Sequence, residues 1–208
     1  MFRLIARHLR TPDGLFGRLI ARLMNVGNRP MNRATLEALG LEAGHRVLEI
    51  GFGGASLFDE LLRRTPEGAV AGLELSDTMR HRAERQFRLA IEQGRLDLKR
   101  GSVEAIPFGD ASFDRAFTVN TIYFWSDPER AARELARVLT PGGRLCIAYG
   151  RVEDLQRLPP TQYGFRLWER DEVESLLRGA GFEAIESDET VDARRSFILT
   201  SATAPDRE

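Results

Sequence analysis

Two residue types are almost missing from this sequence: its 208 residues include one cysteine, and all but one of the 30 basic residues are arginine. With Cys146 alone, the chain can form no internal disulfide and no cysteine-rich metal site, which suits a reducing compartment. A phosphate-binding P-loop is excluded, because Lys99 is followed by Arg100 where that motif needs Ser or Thr. A Tyr-x-x-x-Lys reductase pair is excluded as well, since position 95 is Arg95.

Several other signals of function are also missing. The chain has no H-E-x-x-H motif and no cluster of histidine and cysteine, so we expect no metal cofactor. It has no G-x-S-x-G motif, which argues against an esterase. No apolar run approaches the roughly 20 residues of a membrane span, and arginines interrupt the start, MFRLIARHLR, where a signal peptide needs an unbroken apolar stretch. We therefore expect a cytoplasmic protein.

The composition is that of an ordinary globular domain, with 42% hydrophobic and 29% charged residues. After residue 44, short apolar runs alternate with segments of helical periodicity, which predicts a parallel sheet with helices on both faces. The predicted parallel strands are RVLEI (46–50), AVAGLEL (69–75), LDLKR (96–100), FDRAFTV (113–119) and RLCIAY (144–149). FEAIES (182–187) and RSFILTS (195–201) have no helix between them and predict a terminal antiparallel pair. We expect a Rossmann-like three-layer α/β sandwich.

Residues 1–36 differ from the rest of the chain in charge, since they hold seven arginines and a single acid, Asp13. Their apolar residues form one stripe at helical spacing: Leu15, Phe16, Leu19, Ile20, Leu23 and Met24. We predict a basic amphipathic helical segment over residues 1–36 and one domain over residues 37–208. The simplest interpretation is a helix packed on that domain. A lid or substrate contact, a homodimer contact and a peripheral membrane contact through residues 1–25 stay open, so both a monomer and a homodimer fit.

A glycine-rich turn, EIGFGGA (49–55), ends the first predicted strand. Glycines allow the backbone to approach a ligand, and the helix that follows offers free N–H groups. Glu74 ends the second predicted strand, 23 residues after Gly51, where an acid can accept both hydroxyls of a ribose. Together these features predict an adenosine-containing ligand at the carboxyl edge of the sheet. Ser56 stands where a dinucleotide-binding motif needs Gly or Ala, which argues against NAD.

Four segments, in this order along the chain, resemble the class I S-adenosylmethionine-dependent methyltransferases: VLEIGFGGA (47–55), GLELSDTM (72–79), RGSVEAIPFGDASFD (100–114) and RVLTPGGRL (137–145). The resemblance covers about residues 31–185. It is closest to the small-molecule branch that includes the quinone-biosynthesis C-methyltransferases. It implies a mostly parallel seven-stranded sheet with an antiparallel last strand, in agreement with the terminal pair. It also implies S-adenosylmethionine as the cofactor and S-adenosylhomocysteine as its product.

Carried over motif by motif, the resemblance implies a set of cofactor contacts. Glu49 and the Gly51–Gly53 turn, including Phe52, would hold the methionine end of the cofactor. Glu74 would bind the ribose hydroxyls, and Leu75 would pack on adenine.

The remaining implied contacts lie farther along the chain. Ser102 and Val103 would meet the adenine edge, and the backbone of Asn120 would contact the amino group of the cofactor. Two positions depart from the family pattern. Ala55 replaces a glycine, a small change that we expect to be tolerated. Ser102 stands where aspartate is common, and because a hydroxyl can donate or accept whereas a carboxylate only accepts, we expect weaker adenine binding.

The segment NTIYFW (120–125), directly after the fourth predicted strand, is rich in aromatic residues. Aromatic faces attract a cation such as a sulfonium, each by about 0.5–2 kcal/mol. We therefore expect Tyr123 and Trp125 to bind the substrate. The sequence singles out no general base, so we assign no catalytic residue.

These observations predict a methyltransferase that acts on a small-molecule or lipid-like acceptor and not on nucleic acid; they do not say whether C, N, O or S is methylated. Three alternatives stay open. The basic N-terminal segment would suit an RNA or protein methyltransferase. The lack of an assignable base would suit an adenosine-ligand binder without catalysis. The glycine-rich turn would also suit an NAD-dependent oxidoreductase.

Overall fold

A seven-stranded mixed sheet forms the centre of the protein in the computed structural model, which describes residues 28–192 and 195–206. In chain order the strands are β1 Arg46–Ile50, β2 Ala69–Glu74, β3 Leu96–Arg100, β4 Phe113–Val119, β5 Leu139–Gly150, β6 Glu183–Asp192 and β7 Arg195–Thr203. They lie side by side in the order β3-β2-β1-β4-β5-β7-β6. β7 runs antiparallel to both neighbours, and every other adjacent pair is parallel. This confirms the predicted sheet with its antiparallel last strand.

Helices cover both faces of this sheet. They are α1 Arg29–Ala38, α2 Phe58–Arg64, α3 Asp77–Gln86, α4 Arg88–Glu92, α5 Pro128–Val138, α6 Val152–Leu155 and α7 Arg170–Gly179, with 3₁₀ turns at Ile122–Phe124 and Pro159–Gln162. Side chains of α1, α2 and α3 join the hydrophobic cluster on one face, and those of α5 and α7 join the cluster on the other. The three-layer sandwich is therefore confirmed. Within the described ranges, no helix is long and apolar enough to cross a membrane.

Neighbouring residues of the central strands are buried on opposite faces of the sheet. Val47 lies in the cluster with α1 and α2, and Leu48 lies in the cluster with α5 and α7. In β5, Cys146 lies in the cluster with α1 and α2, and Leu145 lies in the cluster with α5 and α7. A strand that is covered on both faces is apolar along most of its length, which explains why the central strands could be recognised as short, largely apolar runs.

The strand order changes direction between β1 and β4. From β1 the chain proceeds outward through β2 to β3, and it then returns to form β4 on the other side of β1. At such a point the loops that follow the two strands separate, and the crevice between them is where open α/β sheets bind ligands. The topology therefore predicts a ligand-binding crevice at the carboxyl ends of β1 and β4.

Strand β5 begins earlier than the predicted range 144–149. Helix α5 ends at Val138, and Leu139 is already extended, with φ −77° and ψ 146°. Leu139 pairs with Phe113 at the start of β4, and the register shifts between Phe113 and Arg115. Pairing with a neighbouring strand, which local periodicity does not reveal, therefore decides where the strand begins.

The predicted N-terminal segment, residues 1–36, is described from residue 28 onward. Helix α1 runs across the predicted boundary at residue 36, and its Met31 and Leu36 are buried in the core. Residues 1–27, which include the predicted apolar stripe, lie outside the described ranges. The division of the chain at this boundary stays a prediction.

The side chain of Arg95 holds the end of α2 close to the start of β3. Its guanidinium donates hydrogen bonds to the carbonyl oxygens of Thr65 (2.5 Å) and Pro66 (2.7 Å). Longer bonds reach the carbonyl oxygens of Gly68 (3.0 Å) and Leu62 (3.4 Å). The last carbonyls of a helix lack partners within the helix, and a cation is favourable at that end. Arg95 reaches Leu62 in the last turn of α2, the C-cap residue Thr65 and two carbonyls of the following loop. It can bind all four together because a guanidinium carries five N–H donors in one plane.

We expect Arg95→Ala to lower the free energy of unfolding by about 1.5–3 kcal/mol, because hydrogen bonds from a charged group are lost together. Equilibrium urea denaturation measures this change. Arg88→Ala is the matched control, since Arg88 is an exposed arginine whose ion pair with Glu92 measures 3.7 Å, and such pairs contribute about 0–1 kcal/mol. Equal losses in the two variants would contradict the role given to Arg95.

Candidate active site

A cavity of about 210 Å³ lies at the carboxyl ends of β1, β2, β3 and β4. Each strand contributes residues from the turn that follows it, and α1 closes one side. Its lining residues include Asn28, Asn32, Glu49, Gly51, Phe52, Gly53, Glu74, Leu75, Ser102, Val103, Glu104, Asn120, Thr121, Phe124, Trp125 and Ser126. Sequence-distant turns meet here because the carboxyl ends of parallel strands share one edge of the sheet.

All nine predicted cofactor contacts line this cavity, and so does Trp125. Their assembly follows from the strand order, which sets the turns after β1, β2 and β3 side by side. Their roles as contacts stay predictions. Tyr123, the other predicted substrate contact, is not among the lining residues.

The turn after β1 adopts backbone conformations that favour glycine. Gly51 and Gly53 have φ values of +71° and +48°, in the left-handed region that is costly for other residues. A Cβ atom on Gly51 would lie 2.5 Å from Cγ2 of Thr121. Gly53 has nothing within 4 Å of that position, which leaves its backbone open toward the cavity. Ala55, which stands where the family pattern has a glycine, also has a positive φ, +54°. Alanine therefore adopts a glycine-like backbone conformation here, at some cost in strain.

The carboxylate of Glu74 fastens this turn to the end of β2. The residue is only 5% exposed. Its Oε2 accepts a hydrogen bond from the Gly53 N–H (2.9 Å), and its Oε1 accepts one from the Ser76 N–H (2.9 Å). Because a carboxylate offers about four acceptor sites, holding the turn and binding a ribose diol are compatible.

Glu49 brings a second carboxyl group to the same cavity. Unlike the oxygens of Glu74, its Oε2 has no hydrogen-bond donor beside it among the described residues. Glu49 is 7% exposed, and this oxygen is buried. Burial, and then the nearby charge of Glu74, raise the pKa of Glu49 to about 8. Burial without a partner is costly for an ionised carboxylate. A ligand cation beside Oε2 would remove that cost, so Glu49 fits a positively charged ligand group.

Tyr123 lies behind the cavity wall and supports it. The 3₁₀ turn Ile122–Phe124 directs its side chain into the core, where it is 4% exposed. Its hydroxyl donates to Oδ1 of Asn120 (2.9 Å) and accepts from the Gly150 N–H (2.5 Å). Burial also raises the pKa of this hydroxyl well above its usual range. Phe124, its neighbour, faces the cavity instead.

Asn120 joins this wall to α1. It has a φ of +59°, and its N–H donates to the carbonyl oxygen of Ala148 (2.8 Å). Since Tyr123 occupies Oδ1, the amide nitrogen Nδ2 points away and donates to Oδ1 of Asn28 (3.1 Å). The first described residue of the chain is thereby connected to the turn after β4.

Sequence reasoning missed several residues of the site. Asn28 and Asn32 lie four positions apart, and this spacing places both on one face of a helix, but no local pattern identifies that face as a cavity wall. Glu104 and Ser126 are far apart in sequence, and only the fold brings them together. Among residues 28–192 and 195–206 no group of three or more metal-ligating side chains is present; that no metal is needed stays a prediction.

The chain is similar in sequence to known methyltransferases. Residues 48–147 match the family described as "Methyltransferase domain". The chain is 28% identical to the O-methyltransferase resE of Aspergillus sclerotiorum over 177 residues, which cover 78% of this chain and 64% of that protein. It is 30% identical to the ubiquinone/menaquinone biosynthesis C-methyltransferase UbiE of Pasteurella multocida over 132 residues, covering 62% of this chain and 49% of that protein. The chain thus spans about half to two thirds of the length of these relatives.

A solved structure shows the same fold. A SAM-dependent methyltransferase from Aquifex aeolicus superposes with a TM-score of 0.68 at 21% identity. The superposition covers 83% of this chain and 89% of that one. At this identity the likeness concerns the fold alone.

The raised pKa of Glu49 predicts how stability changes with pH. The unfolded chain releases this proton near the ordinary value of 4.5, whereas the folded protein keeps it until about 8. Stability from this group is therefore complete below pH 4.5 and is lost as the pH rises toward 8. We expect the Tm of the ligand-free wild type to fall more between pH 5 and 8 than that of Glu49→Gln, which has no proton to release. Parallel Tm curves for the two proteins in thermal denaturation would contradict the buried, unpartnered state of Glu49.

Proposed function

We propose that this chain is a class I S-adenosylmethionine-dependent methyltransferase, and that it transfers a methyl group from S-adenosylmethionine to a small-molecule or lipid-like acceptor. One observation carries the proposal. The buried carboxylate of Glu74 holds the Gly53 turn at 2.9 Å, and the unpartnered carboxyl of Glu49 lies in the same cavity. This combination suits a ligand that carries a diol and a cationic group.

In the proposed complex, the residues of three neighbouring turns hold the cofactor in an extended arrangement. Glu49 and the Gly51–Gly53 turn bind its methionine end. Glu74 accepts the ribose hydroxyls, and Leu75, which is 41% exposed although it is a large apolar residue, packs against the base. Burial of Leu75 by a planar base would remove apolar surface from water, which is favourable.

The bound cofactor supplies an already activated methyl group on a positively charged sulfur. What remains for the protein is to align the acceptor with this methyl group and to exclude water. Alignment of this kind can contribute roughly 7–11 kcal/mol. We assign no general base, because the hydroxyl of Tyr123 is buried and engaged by Asn120 and Gly150.

We propose that the acceptor binds beside the aromatic part of the wall. Phe124 and Trp125 line the cavity, and Phe124 packs edge-on against Phe165 with ring centroids 4.6 Å apart. Phe165 belongs to the connection after β5, where Leu158 and Tyr163 expose large apolar surfaces. Exposed apolar surface in this connection, which contacts the cavity wall through Phe165 and Phe124, supports a hydrophobic acceptor. The relatives that are named O- and C-methyltransferases support a small-molecule acceptor.

The cofactor assignment is tested by calorimetric titration of S-adenosylhomocysteine. Wild type is expected to bind it, and Glu74→Ala to bind it at least about tenfold more weakly, because hydrogen bonds to a charged group contribute about 1.5–3 kcal/mol. Asp77→Ala is the matched control, since Asp77 is an acid on α3 that does not line the cavity. NADH is the ligand control.

The outcomes of this titration distinguish a wrongly placed binding site from a wrong function. Equal affinity of wild type and Glu74→Ala for S-adenosylhomocysteine would mean that the ligand binds elsewhere. No binding by wild type, or tighter binding of NADH, would contradict the methyltransferase proposal itself.

A second test concerns the proton on Glu49. Since the pKa of Glu49 is raised to about 8 in the ligand-free protein, most molecules hold this proton at pH 7. An ammonium group bound beside Oε2 favours the ionised carboxylate, so binding should release a proton and become tighter as the pH rises toward 8. Titrations of S-adenosylhomocysteine at pH 7 in phosphate and in Tris, whose ionisation enthalpies differ, should give different binding enthalpies for wild type. The difference should vanish in Glu49→Gln, and its persistence there would exclude Glu49 as the source.

A further inference from the structure

The strand order determines which residues a base would meet in the cavity. The turns after β1, β2 and β3 lie side by side, at the spacing of neighbouring strands, about 4.8 Å. A ligand whose one end lies on the Gly51–Gly53 turn and whose diol lies at Glu74 extends onward to the turn after β3. Ser102 and Glu104 line the cavity there. The inference rests on the proposed function, because it concerns the base of the same ligand.

Ser102 is held firmly in this turn. It forms an isolated β-bridge with Ala105, whose N–H donates to the carbonyl oxygen of Ser102 (3.0 Å). The hydroxyl of Ser102 donates a hydrogen bond to Oε2 of Glu104. The N–H of Glu104 lies 3.4 Å from the same Oγ and donates to it.

The carboxylate of Glu104 is itself held in place from the other side. Its Oε1 accepts hydrogen bonds from the N–H (2.7 Å) and the hydroxyl (3.0 Å) of Ser126, and a longer one from the N–H of Asp127 (3.5 Å). These two residues directly precede α5, and the side chain of Asp127, its N-cap, accepts a hydrogen bond from the N–H of Arg130 (3.0 Å). Glu104 is thus an acceptor fixed to the start of a helix.

These contacts decide whether the Ser102 hydroxyl donates or accepts a hydrogen bond toward the cavity. A hydroxyl has one proton and two acceptor lone pairs. A carboxylate only accepts, so the bond between Ser102 and Glu104 uses the single proton of Ser102. Toward the cavity, Oγ of Ser102 can then only accept, as the oxygen of an aspartate would.

We propose that Glu104 makes Ser102 an obligate acceptor, and that the pair selects a base with an exocyclic amino group over a base with a carbonyl at the same position. Ser102 is the residue that contacts the ligand, and Glu104 acts through it as a positioning residue. The expectation that serine weakens adenine recognition because it can either donate or accept is thereby revised for this chain.

The test compares two ligands that differ at the base, S-adenosylhomocysteine and S-inosylhomocysteine, by calorimetry. Wild type should prefer the adenosyl ligand, and Ser102→Ala should reduce this preference by about three- to tenfold, the contribution of one hydrogen bond. Ser102→Ala leaves the contacts of Glu104 with Ser126 and Asp127 in place, so it tests the proposal even if changes at Glu104 destabilise the fold.

Glu104→Gln gives the sharper result. Ser126 and Asp127 present N–H donors, so the amide oxygen of the new side chain stays with them and its NH₂ group turns to Ser102. That group donates to Oγ, which frees the Ser102 proton to point into the cavity. The preference for the adenosyl ligand should therefore fall by about three- to tenfold in Glu104→Gln, and adding Glu104→Gln to Ser102→Ala should change the preference no further.

The results have distinct meanings. An unchanged preference in Ser102→Ala, with the adenosyl ligand still bound, would overturn this inference and leave the proposed function standing. A loss of preference in Glu104→Gln that persists in the Ser102→Ala background would overturn the positioning role, since Glu104 would then act on the ligand directly. Failure of wild type to bind either ligand would overturn the proposed function first.

Discussion

The buried carboxylate of Glu74 is the interaction on which the candidate site depends. It lies at the end of β2 and accepts hydrogen bonds from the N–H groups of Gly53 and Ser76, so it links the turn after β1 to the start of α3. A buried carboxylate is stable only when such donors surround it. The turn is thereby ordered by the residue that is proposed to bind the ligand diol. Loss of Glu74 would remove the ligand contact and the support of the turn together.

Glu49 and Glu74, which both line the cavity, show how different surroundings give the same carboxyl side chain different properties. Glu74 meets two backbone donors, whereas Oε2 of Glu49 meets none among the described residues. Burial and the charge of Glu74 hold the pKa of Glu49 near 8. Glu49 can therefore lose its proton as a cationic ligand group enters, while Glu74 accepts hydrogen bonds from the backbone at both of its oxygens.

The remaining walls of the cavity are positioned by contacts from behind. Tyr123 orients the amide of Asn120, and through it Asn28 at the start of α1. Glu104 likewise connects Ser102 to Ser126 before α5. In each case a residue that lines the cavity takes its hydrogen-bonding direction from a side chain two or three residues further along the chain. The pair is then connected to a different helix, to α1 through Asn28 and to the start of α5 through Ser126. Such partners narrow the range of orientations before a ligand arrives, which lowers the ordering cost of binding.

The sequence by itself determined the order of the elements, the antiparallel last strand and the meeting of the Gly51–Gly53 turn with Glu74. These follow from local patterns, because continuous apolar runs predict strands covered on both faces and the carboxyl ends of parallel strands share one edge. Only the tertiary structure decided that Tyr123 turns into the core, that Asn28 closes the cavity and that β5 starts at Leu139. The hydrogen-bonding direction of the Ser102 hydroxyl and the pKa of Glu49 were also decided there. The physical reason is that each feature depends on burial or on a specific side-chain or strand partner, and local periodicity encodes neither.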